Sequence, residues 1–172
     1  DRQTSSHRGS TEAERRQLTV MFCDLQGSTA LSQQLDPEDL REVIRSYQEL
    51  CAGAVSRFEG YIAKYLGDGL LIYFGYPQAH EDDPQRAVRG GLAILEGMGP
   101  LNSKLKADKD IELAVRIGVH TGLVVAGEMG GGDTIESLAI VGETPNIAAR
   151  LQEAAEPNTL VITDIAANLV QG

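Results

Sequence analysis

The stretch Thr19-Val20-Met21-Phe22-Cys23-Asp24-Leu25-Gln26-Gly27-Ser28-Thr29 runs an apolar segment straight into a carboxylate, a glycine turn and two hydroxyl residues able to open a helix. Leu18 to Cys23 is apolar on both faces, which suits a strand in the middle of a sheet. Ser28 to Leu35 reads as a short helical segment. A strand end followed at once by a helix N-terminus gathers a carboxylate, backbone N–H groups and the positive end of a helix at one point. That combination suits a cation held together with a phosphate. An Asp at a strand end is common, so its meaning depends on a second acid arriving nearby.

Outward from this stretch, Asp36-Pro37-Glu38-Asp39 supplies a cap, a proline at the first helical position and acids in the first turn. A helix is expected from there to about Glu59, with Gly60 as its stop. Tyr61 to Tyr65 and Leu70 to Phe74 read as strands joined by the tight hairpin Leu66-Gly67-Asp68-Gly69. Gly75 to Asp82 reads as a loop, and Asp83-Pro84 repeats the cap-plus-proline device before a second helix through Met98. Leu101 to Asp110 reads as loop-like in its second half. Leu113 to Val119 alternates as a strand, Thr121-Gly122 turns the chain into Leu123 to Ala126, and Gly127 to Asp133 forms a hairpin tip. Ser137 to Val141 is a further strand, and Thr144-Pro145 opens a helix through about Ala155. Leu160 to Ile162 is a last strand, followed by a helix capped by Thr163 or Asp164 and running to Gly172.

This order predicts an α+β fold. Its core is a ferredoxin-like or palm-like βαββαβ unit, with an antiparallel-rich sheet and helices packed on one face. In such a plan the end of the first strand lies beside the hairpin tip, so Asp24 and Asp68 meet. Residues 1–14 are polar and read as a linker, which leaves residues 15–172 as one domain. Such a polar lead-in fits a domain of a longer chain, in which other domains are expected to adjoin it.

Composition narrows the function. The 172 residues carry a formal charge of −10, which excludes a general nucleic-acid binder and argues against docking on an anionic membrane. No apolar run approaches a membrane span, and no signal peptide is visible, so a cytoplasmic protein is expected. Cys23 and Cys51 sit in apolar runs and read as reduced core thiols. With this charge a phosphorylated substrate is repelled at long range, so its site needs a metal or local basic groups.

Two carboxylates at one point can hold two divalent cations that activate a hydroxyl and stabilise an in-line displacement at phosphorus. Mg²⁺ or Mn²⁺ suits an all-oxygen site. Read alone, Asp68 is equally well a favoured Asp-Gly turn residue. Asn146 and Arg150 lie four apart on one helix and share a face. An Arg so placed is usually a solvated surface residue. Beside a polyphosphate it can stabilise transition-state charge while the Asn positions a sugar hydroxyl.

The motifs Phe22 to Thr29, Lys64-Tyr65-Leu66-Gly67-Asp68-Gly69, His120-Thr121-Gly122 and Val141 to Arg150 occur in an order that resembles the class III nucleotidyl cyclase catalytic domain, most closely its bacterial soluble-cyclase-like branch. The resemblance covers roughly Arg15 to Gly172. It implies that Asp24, Asp68 and the backbone carbonyl of Leu25 bind the two metals, that Gln26, Gly27, Ser28 and Thr29 meet the phosphates, and that Asn146 and Arg150 are the transition-state pair. It further implies a homodimer with two active sites shared between subunits, and formation of cyclic AMP and pyrophosphate from ATP in signal transduction.

Lys64 matches the residue that reads the purine edge. A lysine only donates, and adenine N1 accepts where guanine N1 carries a hydrogen, so Lys64 favours ATP. Three features depart from the family. Ala139 stands where an Asp or Thr commonly meets the adenine amino group, which leaves only backbone for that contact. Leu123 stands where many mammalian relatives have Arg. The family's last hairpin, with its phosphate-binding lysine, is missing. Arg116 can offer charge instead, although a strand-surface role is the simpler reading. These departures keep two alternatives in view, a nucleotide-binding or dimerisation module without turnover and a guanylyl cyclase. The branch resemblance also implies a response to bicarbonate.

Overall fold

The computed structural model describes residues 14–127, 139–141 and 144–170. A sheet of six strands carries five helices, in the order β1 (Glu14–Gln26), α1 (Ser28–Gln34), α2 (Pro37–Ser56), β2 (Tyr61–Leu66), β3 (Gly69–Phe74), α3 (Asp83–Lys109), β4 (Ala114–Gly127), β5 (Ala139–Val141), α4 (Thr144–Ala154), β6 (Thr159–Ile162) and α5 (Asp164–Val170). The sheet order is β2-β3-β1-β4-β5, and β6 also pairs with β4. The first four strands and the helices between them form the expected βαββαβ unit. All pairings are antiparallel except β4 with β6. β5 and β6 share one edge of β4, because β6 lies along Arg116 to Val119 and β5 along Val125 to Gly127.

β1 is central, as its apolar run on both faces requires. Met21, Cys23 and Leu25 pack against Val43, Tyr47 and Cys51 of α2 and Ile94 and Met98 of α3. Leu18 and Val20 point the other way, into a smaller cluster with Tyr73, Val124 and Ala148. Ala148 belongs to α4, so the helices do not all lie on one face: α4 covers part of the face opposite α2 and α3. Gly118 makes this possible, since a Cβ there would sit 2.6 Å from the Ala148 carbonyl oxygen and 2.6 Å from the Gln152 nitrogen. Strand alternation puts Asp24 on the α4 face with Leu18 and Val20.

Five local readings are corrected. α3 continues through Leu101 to Lys109, with Pro100 inside it, where the second half of this stretch was expected to be loop-like. The Asn102 amide pairs with both backbone groups of Leu113, and Leu105 is buried, so tertiary contacts hold a stretch whose sequence is weakly helical. Thr121-Gly122 is not a turn, because β4 runs unbroken past it. The Thr121 hydroxyl meets that of Thr19 at 2.9 Å, and Gly122 lies opposite Leu18. The cap before α3 is Asp82 rather than Asp83, whose buried carboxylate instead accepts the His80 N–H at 2.8 Å. α2 ends at Ser56, and Glu59 rather than Gly60 takes the left-handed conformation. Gly60 is needed for space, since a Cβ there would lie 2.9 Å from the Phe74 ring. β1 begins at Glu14, the last residue read as linker. The expected tip at Gly127 to Asp133 and the start of the next strand lie largely outside the described residues.

Candidate active site

Asp24 is the third-last residue of β1, half-buried, with Arg116 of β4 directly across in register. On its other side β1 pairs with β3 only as far as Cys23↔Leu70, so Asp24 to Gln26 have no β3 partner while remaining paired to β4. The β2–β3 hairpin turns beside this free edge. A Cβ on Gly69 would lie 3.6 Å from the Asp24 carboxylate and 3.3 Å from the Cys23 carbonyl oxygen, so the turn presses against the end of β1. Gly67 holds the turn in the left-handed conformation at φ +64°. The fold thereby brings Asp24 and Asp68 together, as the sequence predicts.

The pair is electrostatically strained. Burial, a hydrogen bond with Asp68 and repulsion from that carboxylate push the Asp24 carboxyl from 3.8 up to about 6. The Leu25 N–H, which donates to Asp24 Oδ1 at 2.8 Å, and the charge of Arg116 oppose the rise. Oδ2 of Asp68 is buried with no hydrogen-bond partner. Two adjacent carboxylates, one with a raised proton affinity and the other with an orphaned oxygen, fit a hard divalent cation that offsets their repulsion. No group of three His, Cys, Asp or Glu side chains among the described residues could hold a metal, so further ligands would come from backbone, water or substrate.

Beyond Asp24, Leu25 is 3% exposed and anchors the strand end in the core. Gln26 closes β1, and Gly27, at φ 76°, is the N-cap of α1 with no side-chain bond. Ser28 and Thr29 occupy the first turn of α1, which carries no acidic residue.

Lys64 of β2 is exposed and faces Leu71 of β3, which in turn faces Phe22 of β1. It therefore shares a sheet face with Asp24, two strands away. Ala139 opens β5 and pairs with Gly127. Asn146 and Arg150 lie on α4, and both are exposed. Thr144, Ala148 and Gln152 mark the buried stripe of that helix. Asn146 and Arg150 are offset from this stripe by about 200° at the helical period, so they face away from the sheet that carries Asp24 and Asp68. The structure thus joins the two acids and does not bring Asn146 or Arg150 to them within one chain.

Sequence reading undervalued Arg116. It is half-buried, its Nη1 donates to the Glu153 carbonyl of α4 at 3.1 Å, and its buried Nε has no partner. The usable signal was its even-numbered place in the strand, which puts it on the Asp24 face. Thr144, expected as a cap, sends its hydroxyl to the Leu123 carbonyl at 3.1 Å and ties α4 to β4.

Residues 11–171 match the family model described as the adenylate and guanylate cyclase catalytic domain. Adenylate cyclase 1 of Rhizobium meliloti is 31% identical over 148 residues, covering 86% of this chain and 22% of the relative. The crystal structure of the adenylyl cyclase CyaB from P. aeruginosa superposes with a TM-score of 0.86 at 31% identity, covering 93% of this chain and 83% of that one. The guanylyl cyclase Cya2 superposes with a TM-score of 0.86 at 28% identity, over 93% and 81% of the two chains. The chain spans under a quarter of the length of the Rhizobium relative. By the extent of these matches, this chain belongs to the family of adenylate and guanylate cyclase catalytic domains.

Proposed function

We propose that this domain converts ATP to 3′,5′-cyclic AMP and pyrophosphate at sites shared between two copies of the chain. The observation that carries the reading is the juxtaposition of Asp24 and Asp68 at the free end of β1, set against Asn146 and Arg150 exposed on α4. On this reading one chain supplies the paired acids, and the exposed Asn146 and Arg150 of its α4 serve the acids of a second chain. The sheet face beside α4, with half-buried Phe22 and Leu71 and exposed Lys64, is the surface available for that pairing.

Two divalent cations, Mg²⁺ or Mn²⁺, held by Asp24, Asp68 and the Leu25 carbonyl, would polarise the triphosphate and make the ribose 3′-hydroxyl more acidic. The residues of the chain do the rest. Backbone N–H groups from Gln26 to Thr29 and the guanidinium of Arg116 meet the triphosphate oxygens. Lys64 donates to adenine N1, and backbone near Ala139 accepts from the adenine amino group. Asn146 orients the ribose, so the 3′-oxygen stands in line with the α-phosphorus. As the bond from O3′ to the α-phosphorus forms, the bond to the pyrophosphate oxygen breaks and the hydroxyl proton passes to solvent. Arg150 meets the negative charge that develops on the phosphoryl oxygens. ATP as substrate places the domain in the cytoplasm.

A guanylyl cyclase is the second reading, favoured by the equal structural similarity to Cya2 and by an alanine at 139 that cannot accept a side-chain hydrogen bond. Turnover with ATP and with GTP, each with Mg²⁺ and Mn²⁺, separates the readings. Cyclic AMP as the dominant product supports the proposal, and cyclic GTP-derived product in excess transfers the assignment to guanine. Absence of both products overturns catalysis and leaves a nucleotide-binding or dimerisation module.

A further inference from the structure

The β2–β3 turn that carries Asp68 is poorly packed. Tyr65 and Leu66, which lead into it, are 51% and 39% exposed, and Gly67 has nothing within 4 Å of its Cβ position. One side chain reaches it from another element: Nε2 of Gln48 on α2 donates to the Gly67 carbonyl at 3.2 Å. Among the described residues no other side chain hydrogen-bonds to the backbone of this turn. The anchor itself is firm. Gln48 follows Tyr47, which is fully buried in the core, and α2 packs along β1 through Val43, Tyr47 and Cys51. The Gly67 carbonyl belongs to the peptide that leads directly into Asp68, so fixing it limits rotation of the Asp68 backbone. Asp68 Oδ2 is buried and without a hydrogen-bond partner, so Asp24 is the side chain that meets this carboxylate and the turn backbone sets its approach.

We propose that Gln48 is a positioning residue for the metal site: its amide N–H clamps the Gly67–Asp68 peptide and holds the Asp68 carboxylate against Asp24. This rests on the reading of Asp24 and Asp68 as metal ligands. Gln48 touches neither metal nor nucleotide. It shortens the search of an otherwise loose turn and so raises cation affinity, leaving the charge of the site unchanged.

The test compares the parent with Gln48→Met, which keeps shape and helix propensity while removing the donor, with Gln48→Lys, which keeps an N–H donor, and with Asp68→Asn. Mn²⁺ binding is measured by electron paramagnetic resonance without nucleotide, and amide hydrogen exchange at Leu66 to Gly69 is measured without metal. Loss of one such hydrogen bond predicts about five-fold weaker Mn²⁺ binding and faster exchange in Gln48→Met. Gln48→Lys recovers at least part of the slow exchange, while its added positive charge keeps Mn²⁺ affinity below that of the parent. In the cyclase assay, Gln48→Met raises the metal concentration for half-maximal rate while kcat at saturating metal changes little. Parent-like Mn²⁺ affinity and exchange in Gln48→Met overturn the clamp alone. Mn²⁺ binding that survives Asp68→Asn overturns the metal-site reading on which the clamp depends.

Discussion

At the scale of single residues, the behaviour of Asp24 follows from having a second carboxylate where it has little room to ionise. Its raised proton affinity means that the metal-free fold binds this proton more tightly than the unfolded chain does. That contribution to stability is complete below about pH 4 and is lost as pH rises through about 6. Asp24→Asn removes the repulsion. Thermal melts in EDTA are therefore expected to show the variant more stable than the parent at pH 7.5 and the gap closing toward pH 4. Added Mn²⁺ stabilises only the parent. A gap that stays constant with pH contradicts the raised proton affinity of Asp24. Arg150 lies on the opposite functional side. Under the proposed role of Arg150, in which its charge meets the phosphoryl oxygens only as the transition state forms, Arg150→Ala is expected to lower kcat by about 10²-fold or more with little change in KM for nucleotide. Asp24 and Asp68 were legible in the sequence because a strand end and an Asp-Gly hairpin are both short-range signals. Arg116 was not, because an arginine in an alternating strand looks solvated until the register places it opposite an acid.

At the scale of elements, α4 and α3 show where local pattern runs out. The reading of helices on one face failed for α4, whose seat depends on the missing side chain at Gly118, a contact between residues distant in sequence. Gly118→Ala is expected to cost roughly 1–3 kcal/mol by overpacking and to lower kcat as well, since moving α4 moves Arg150. Chemical denaturation and steady-state rates read the two effects. α3 was read short because Gly99, Pro100 and a polar tail weaken its helical pattern, while the Asn102 bonds to Leu113 and the burial of Leu105 are invisible locally. A Cβ at Gly99 meets nothing within 4 Å. Gly99→Ala is thus expected to stabilise the domain by about 0.5–1 kcal/mol, with turnover unchanged, as measured by the urea midpoint. β4 taught the converse lesson. Thr121-Gly122 resembles a turn in sequence, yet pairing with Leu18 and Thr19 keeps it extended, so a glycine there serves close packing.

At the scale of the whole molecule, the βαββαβ order was legible because each element carries its own hydrophobic period, and the chain order then leaves few ways to form the sheet. The division of the site was not legible in that way. It rests on helix phase: Thr144, Ala148 and Gln152 face inward, so Asn146 and Arg150 must face outward, away from the Asp24–Asp68 pair. In the proposed dimer, two copies of the chain, each lending its α4 to the other's acids, would resolve that separation. The direct test mixes Asp24→Ala and Arg150→Ala proteins, each inactive alone. Random exchange makes half the dimers mixed, and in each of these one of two sites is intact, so the mixture should recover about a quarter of the parent rate of cyclic nucleotide formation. No recovery, with mixed dimers demonstrated by mass spectrometry, would contradict the shared site.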